Sequence, residues 1–198
     1  MALLHQHEKA INTLSPLITE GNFYLAGGTA VYYYLKHRES VDLDFFTPLE
    51  IILSDYRKLF KPKAVYLLTD TTLHAEVEGV KISMFRYTYR LLRPLKKLGP
   101  IKLASLDDIA CMKVNAIIGR GSRKDFTDLY FIMKKQRLSG RECLNLFREK
   151  FGDYNPLILQ KALTYFDDAE GEPQLNMLKQ VQWDDIKTFF KDNFVKLE

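Results

Sequence analysis

Two aspartates two residues apart, Asp42 and Asp44, stand in the run Val41-Asp42-Leu43-Asp44-Phe45-Phe46. This alternation predicts a strand, in which alternate side chains share a face. Val41, Leu43 and Phe45 are then expected to face a core. The two carboxylates lie on the other side, roughly 6–7 Å apart along the strand. Like charges so placed need a cation, a basic neighbour or water to stay ionised. One Mg²⁺ ion, or two about 3.5–4 Å apart, would use them for phosphoryl chemistry. A wet strand face also carries such acids without any role, so the neighbouring residues carry the weight.

Upstream, Phe23-Tyr24-Leu25-Ala26 runs as a short apolar strand into Gly27-Gly28, and a helix starts with Thr29. Gly27 and Gly28 let backbone approach a ligand closely. The amides and dipole of a helix start favour a phosphate, and Thr29 can add a hydroxyl. Next, His37-Arg38-Glu39-Ser40 places a guanidinium and a hydroxyl directly before the acids. Arg38 would either bind phosphate or neutralise Asp42 or Asp44.

The elements that position these residues follow from punctuation and period. Residues 2–20 predict helix, interrupted at Ser15-Pro16, where N-cap and first-turn chemistry would allow two short helices. Thr29–Lys36 predicts a helix whose spacing puts one or two of Tyr32, Tyr33 and Tyr34 in the core. Thr47-Pro48-Leu49-Glu50 has the form of a capping box and predicts a helix to about Phe60. Ala64–Thr69 predicts a strand. Thr72–Glu78 and Val80–Tyr87 predict a hairpin turning at Glu78-Gly79, with Val77 opposite Val80, Glu76 opposite Lys81 and His74 opposite Ser83. After about residue 100 the strands are expected to stop. Capping boxes then recur at Ser105…Asp108, Ser122…Asp125 and Ser139…Glu142, and Asn155-Pro156 and Trp183 mark further helix starts. The expectation is an α+β fold: a mixed sheet flanked by helices over residues 1–100, with a helical region over 101–198 packed on it.

These residues resemble the abortive-infection AbiEii-type nucleotidyltransferases of the DNA polymerase β-like superfamily, which include toxins of type IV toxin–antitoxin pairs. Gly27-Gly28-Thr29-Ala30 and His37-Arg38-x-Ser40-x-Asp42-Leu43-Asp44-Phe45-Phe46 carry the likeness. Asp108-Ile-Ala-x-Met-Lys113 and Arg120-Gly-Ser-Arg-Lys124-Asp125-Phe-x-Asp128-Leu look like the family's downstream motifs. The likeness spans roughly residues 20–135. It implies a nucleoside triphosphate (NTP) donor, Mg²⁺ as cofactor, and transfer to RNA or protein, with a cognate antitoxin as a possible partner. Asp42 and Asp44 would hold the metal; Gly27, Gly28 and Thr29, with Arg38, Ser40 and Asp125, would form the nucleotide site; Lys113 would contact the phosphates. Catalysis would rest on positioning and charge neutralisation.

The pattern departs from the superfamily at one place. A third carboxylate is expected from a later strand, and the matching position is Ser83. His74 would face that position, as a ligand or as a surface histidine with no role; the second reading is favoured, because imidazole suits softer metals than Mg²⁺. Glu76 reads as an ion-pair partner of Lys81. The bland reading of the downstream motif makes Asp108 and Asp125 helix-start acids, pairs Asp128 with Lys124 or Arg123, and puts Lys113 as a solvated flank beside an expected core stripe of Ile109, Met112 and Ala116. Three functions stay open: transfer to a macromolecule, nucleotide or RNA binding without transfer, and transfer to a small molecule of the antibiotic kind.

Composition sets the bounds. The 198 residues are 46% hydrophobic and 27% charged, with net charge +4, which excludes a disordered chain. Basic residues clump in Arg86–Lys97, Arg120–Lys124 and Lys134–Arg141, suiting an anionic ligand. Cys111 and Cys143 form no disulfide framework or metal pattern. With no signal-like start and no bilayer-length apolar run, a cytoplasmic protein without membrane partners is expected.

Overall fold

The computed structural model of the chain describes residues 4–59 and 62–195. Two compact units emerge. The first comprises the chain to Tyr33, Ser40–Arg90 and Pro94–Ser105. The second comprises Tyr34–Glu39, Leu91–Arg93 and the chain from Leu106. The fold is α+β, with a mixed seven-stranded sheet in the first unit.

The first helix, α1 (His5–Glu20), buries Ala10, Ile11, Leu14, Leu17 and Ile18 along one stripe. The sequence suggests a break at Pro16, yet the helix runs through it, with Pro16 exposed. A proline inside a helix costs about 3 kcal/mol. Each buried large aliphatic side chain returns about 1.5–3 kcal/mol, and the stripe straddles Pro16. Strand β1 (Tyr24–Ala26) leads into α2 (Gly27–Leu35), then β2 (Leu43–Thr47). The expected helix after Thr47 is absent. Thr47 ends β2, its hydroxyl donating to the Gly21 carbonyl at 2.6 Å, and only a 3-10 turn follows at Leu53–Leu59. The expected helix end at Phe60 lies outside the described residues.

Strands β3 (Ala64–Leu68), β4 (Thr72–Val77) and β5 (Val80–Arg86) follow. Glu78 (φ 52°) and Gly79 (φ 75°) both take left-handed backbone, the geometry that lets a two-residue turn match strand twist. The predicted register holds: Val77 opposite Val80, Glu76 opposite Lys81, His74 opposite Ser83. Strands do not stop at residue 100. β6 (Lys96–Leu98) and β7 (Ile101–Leu103) form a second small hairpin, and β7 pairs parallel with β1 at Leu25 and Leu103. Across the sheet the order is β3-β4-β5-β2-β1-β7-β6. Exposed Lys96 and Lys97 guard the β6 edge against strand addition.

The second unit holds α3 (Leu106–Arg120), α4 (Arg123–Gln136), α5 (Gly140–Phe151), α6 (Pro156–Thr164), α7 (Asp167–Glu170) and α8 (Trp183–Phe194), with Phe126 of α4 against Phe166, just before α7, and Phe190 of α8. Helix starts fall where capping chemistry predicts. Ser139 and Glu142 close a reciprocal capping box, and the Asn155 side chain accepts from the Leu157 amide behind Pro156. No described helix is long and apolar enough to cross a membrane.

Candidate active site

Asp44 occupies the middle of the sheet, opposite Ala26 on β1 and Ser83 on β5. Its carboxylate rests against Gly27, the first residue of α2. A Cβ built on Gly27 would fall 2.3 Å from Asp44 Oδ2. Gly27 also has φ +66°, which side-chain-bearing residues rarely adopt. The glycine is therefore fixed by both backbone and neighbour, and an acidic oxygen is held at the turn where a helix begins. First-turn amides lack carbonyl partners four residues back, and the helix dipole is positive at this end.

Asp42 lies one residue before β2 and is exposed. Val41, expected in the core, is 52% exposed, because the alternation begins only at Leu43. Two side chains fix this segment in place of ladder bonds. His7 Nε2 donates to the Val41 carbonyl at 2.9 Å, while its Nδ1 accepts from the Tyr33 hydroxyl at 2.6 Å. Since a carbonyl can only accept, the ring hydrogen sits on Nε2. Thr29, fully buried, donates its hydroxyl to the Asp42 carbonyl, so the Ser40 hydroxyl is the donor in the 2.9 Å contact between the two. Thr29 and Ser40 thus orient the acidic segment, and the Thr29 proton expected for a phosphate is engaged by backbone. Nothing in the sequence pattern singled out His7, whose partners lie 26 and 34 residues away.

Ser83 stands beside Asp44, where a third acid was expected, and His74 Nδ1 lies 3.1 Å from its hydroxyl. Glu76 pairs with Lys63 Nζ at 2.9 Å and accepts from the Tyr66 hydroxyl at 2.9 Å; the expected ion pair with Lys81 is replaced by one across β3. Among the described residues no three or more His, Cys, Asp or Glu converge on a metal position. The donors that Asp42 and Asp44 offer are hard oxygens, as Mg²⁺ prefers. An ion there would complete its shell from water and phosphate, its usual habit at triphosphates.

Arg38, Lys113 and Asp125 belong to the second unit and meet in a buried ion network there. Lys113 is 6% exposed and donates to Asp125 Oδ1 at 2.8 Å and Asp128 Oδ2 at 2.6 Å. It lies on the inward face of α3 with Ile109, Ala110, Val114 and Ile117, so the expected solvated flank is corrected. Arg38 grips Asp128 with two bonds, Nε to Oδ1 at 2.7 Å and Nη2 to Oδ2 at 2.9 Å. His37 adds Nε2 to Asp128 Oδ1 at 2.7 Å. Arg120 and Ser122 both bond Asp125, so the Ser122 hydroxyl is a donor to the carboxylate and caps no amide. Burial alone would raise the Asp125 carboxyl, but the Lys113 ammonium and the bonds from Arg120, Lys113 and Ser122 outweigh it and bring it down to about 2. Burial opposes ionisation of Asp128 too, yet Lys113, His37 and Arg38 hold it well below the usual carboxylate range. Burial pulls Lys113 down; Asp128 and Asp125 overcome this and raise it. Asp108 is likewise more than a helix-start acid: it accepts from the Leu92 amide at 2.9 Å and from Lys150 Nζ at 2.8 Å.

The family described as nucleotidyl transferase AbiEii toxin, type IV toxin–antitoxin system, matches residues 12–92 and 80–195. The match continues far past residue 135, where the motif likeness ends. An uncharacterised protein of Aquifex aeolicus, aq_aa25, is 36% identical over 96% of this chain and 94% of its own length. Two crystal structures share the fold. JHP933 from Helicobacter pylori superposes with TM-score 0.57 at 18% identity, over 99% of this chain and 95% of its own. A candidate nucleotidyltransferase from H. pylori superposes with TM-score 0.56 at 19% identity, over 98% and 97%. The glycine turn, the acidic strand and a sequence match running from residue 12 to residue 195 thus agree, and the chain belongs to the AbiEii family of nucleotidyl transferases.

Proposed function

We propose that this chain moves a nucleotidyl group from an NTP to a hydroxyl of a macromolecule, RNA or protein, and that it acts as the toxin of a toxin–antitoxin pair. The observation that supports this most is the Asp44 carboxylate packed on the Gly27 turn at the start of α2. Anion-binding amides and a cation-binding acid meet there, as a metal–triphosphate requires. Asp42 and Asp44 would hold Mg²⁺, which when bound would neutralise triphosphate charge. The amides of Gly27 and Gly28 would receive phosphate oxygens. Thr29, Ser40 and His7 would keep the acids aimed. Arg38, Lys113 and Asp125 would act from their ion network; a direct Lys113–phosphate contact would mean giving up one of its two carboxylates.

Incubation with each α-labelled NTP, Mg²⁺ and total RNA or lysate tests the reading. Label on RNA or protein with wild type, and none with Asp44→Ala, is the expected result. A second reading, nucleotide binding without transfer, is favoured by Ser83 in the third-acid position. Binding of NTP by both proteins with no transfer would establish it. A gene adjoining this one and suppressing its toxicity would support the antitoxin.

A further inference from the structure

We propose that His74, acting through Ser83, accepts the proton that the acceptor hydroxyl releases during transfer. The inference rests on the transfer reading above and deepens it. Its basis is a row across the sheet. Ala26, Asp44, Ser83 and His74 lie directly opposite one another on β1, β2, β5 and β4. Residues directly opposite share a face, and Asp44 shows which face it is, because its carboxylate meets the Gly27 turn. Adjacent strands lie about 4.8 Å apart. Ser83 is therefore one strand from the acid that would hold the metal, and His74 two strands.

The pair is built for a proton. His74 Nδ1 lies 3.1 Å from Ser83 Oγ. The ring is half-buried and seated edge-on against Phe85, with centroids 5.5 Å apart. With its hydrogen on Nε2, the imidazole leaves Nδ1 free to accept from the serine. Among the described residues, the charged groups on the same face of β4, β5 and β2 are Glu76, Lys81 and Asp44. Glu76 is committed to Lys63 and Tyr66. Lys81 carries no acceptor when charged. Among the side chains on this row, the imidazole is the one that offers a neutral ring nitrogen as acceptor beside a second nitrogen that can release a proton.

The step balances as follows. The acceptor oxygen bonds the α-phosphorus, and the bond from that phosphorus to the bridging oxygen breaks. Pyrophosphate leaves with that electron pair. The acceptor proton passes to Ser83 Oγ while the serine's own proton passes to His74 Nδ1. The imidazolium then releases a proton to water.

Single-turnover transfer across pH, with NTP affinity measured separately, decides the matter for wild type, Asp44→Ala, His74→Gln, Ser83→Ala and the double variant Ser83→Asp/His74→Gln. The expected loss for His74→Gln is about 100-fold or more in rate, with NTP affinity unchanged and the pH dependence of the rate altered from that of wild type. Ser83→Ala should match it. The double variant should recover rate, because a carboxylate beside Asp44 can take the proton itself. If Asp44→Ala is inactive while His74→Gln keeps wild-type rate and pH profile, the relay is overturned and the transfer reading stands. Failure of the double variant to recover also overturns it. If Asp44→Ala transfers as fast as wild type, the transfer reading fails and the relay falls with it.

Discussion

Gly27 carries the sharpest constraint in the molecule. Gly27→Ala would set a methyl group where Asp44 Oδ2 stands and force an L side chain to φ +66°. The carboxylate must swing away from the helix start. The expected outcome is a folded protein destabilised by about 1–3 kcal/mol in thermal unfolding. Transfer should fall about 100-fold or more, since small displacements of positioned groups are that costly. Thr29→Val removes the hydroxyl bonds to Asp42 and Ser40 while keeping the volume. It should lower transfer with little change in circular dichroism, and unchanged transfer would mean the acidic segment holds itself.

At the scale of elements, the network joining α3 and α4 within the helical unit carries stability. Lys113→Met would leave Asp125 and Asp128 buried with one fewer cation. Removing one partner of a buried pair costs about 3–5 kcal/mol, readable in urea unfolding. The pH dependence has a definite sign. Asp125 is depressed from 3.8 in the unfolded reference to about 2 in the fold. Its contribution of about 2–3 kcal/mol is therefore fully present above pH ~4 and lost as pH falls towards 2, with Asp128 adding loss further down. Unfolding measured from pH 5 to pH 2 should show this slope, and Asp125→Asn should flatten it.

These same elements mark how far the sequence could be read. The hairpin at Glu78-Gly79 was legible to the residue, because its turn chemistry and alternation are local. The Gly27 turn and Asp44 strand were legible for the same reason, and with them the Ser83 position. The failures have nonlocal causes. β7 finds its partner Leu25 78 residues back, in a stretch too short and too basic to show a period. Pro16 sits in a helix held by a stripe on both sides of it. Asp128 is joined by His37 and Arg38 from 91 and 90 residues away, so spacing along α4 could offer only Lys124 or Arg123 as partners. The Lys113 burial followed from those same distant carboxylates.

For the molecule as a whole, the net charge of +4 and its clustering in Arg86–Lys97 and Arg120–Lys124 bear on the choice of acceptor. If the acceptor is RNA, its apparent affinity should fall steeply with salt, linearly in log–log form, while NTP affinity changes far less. A protein acceptor lacking a phosphate backbone would show no such slope. The match over residues 12–195 makes transfer of a nucleotidyl group the central claim. The most direct measurement compares one NTP labelled at the α-phosphate with the same NTP labelled at the γ-phosphate, with Mg²⁺ and an acceptor preparation. The α-label should move to the acceptor and the γ-label should leave as pyrophosphate, both only with Asp44 intact. Transfer of the γ-label, or transfer of α-label by Asp44→Ala, would contradict the assignment.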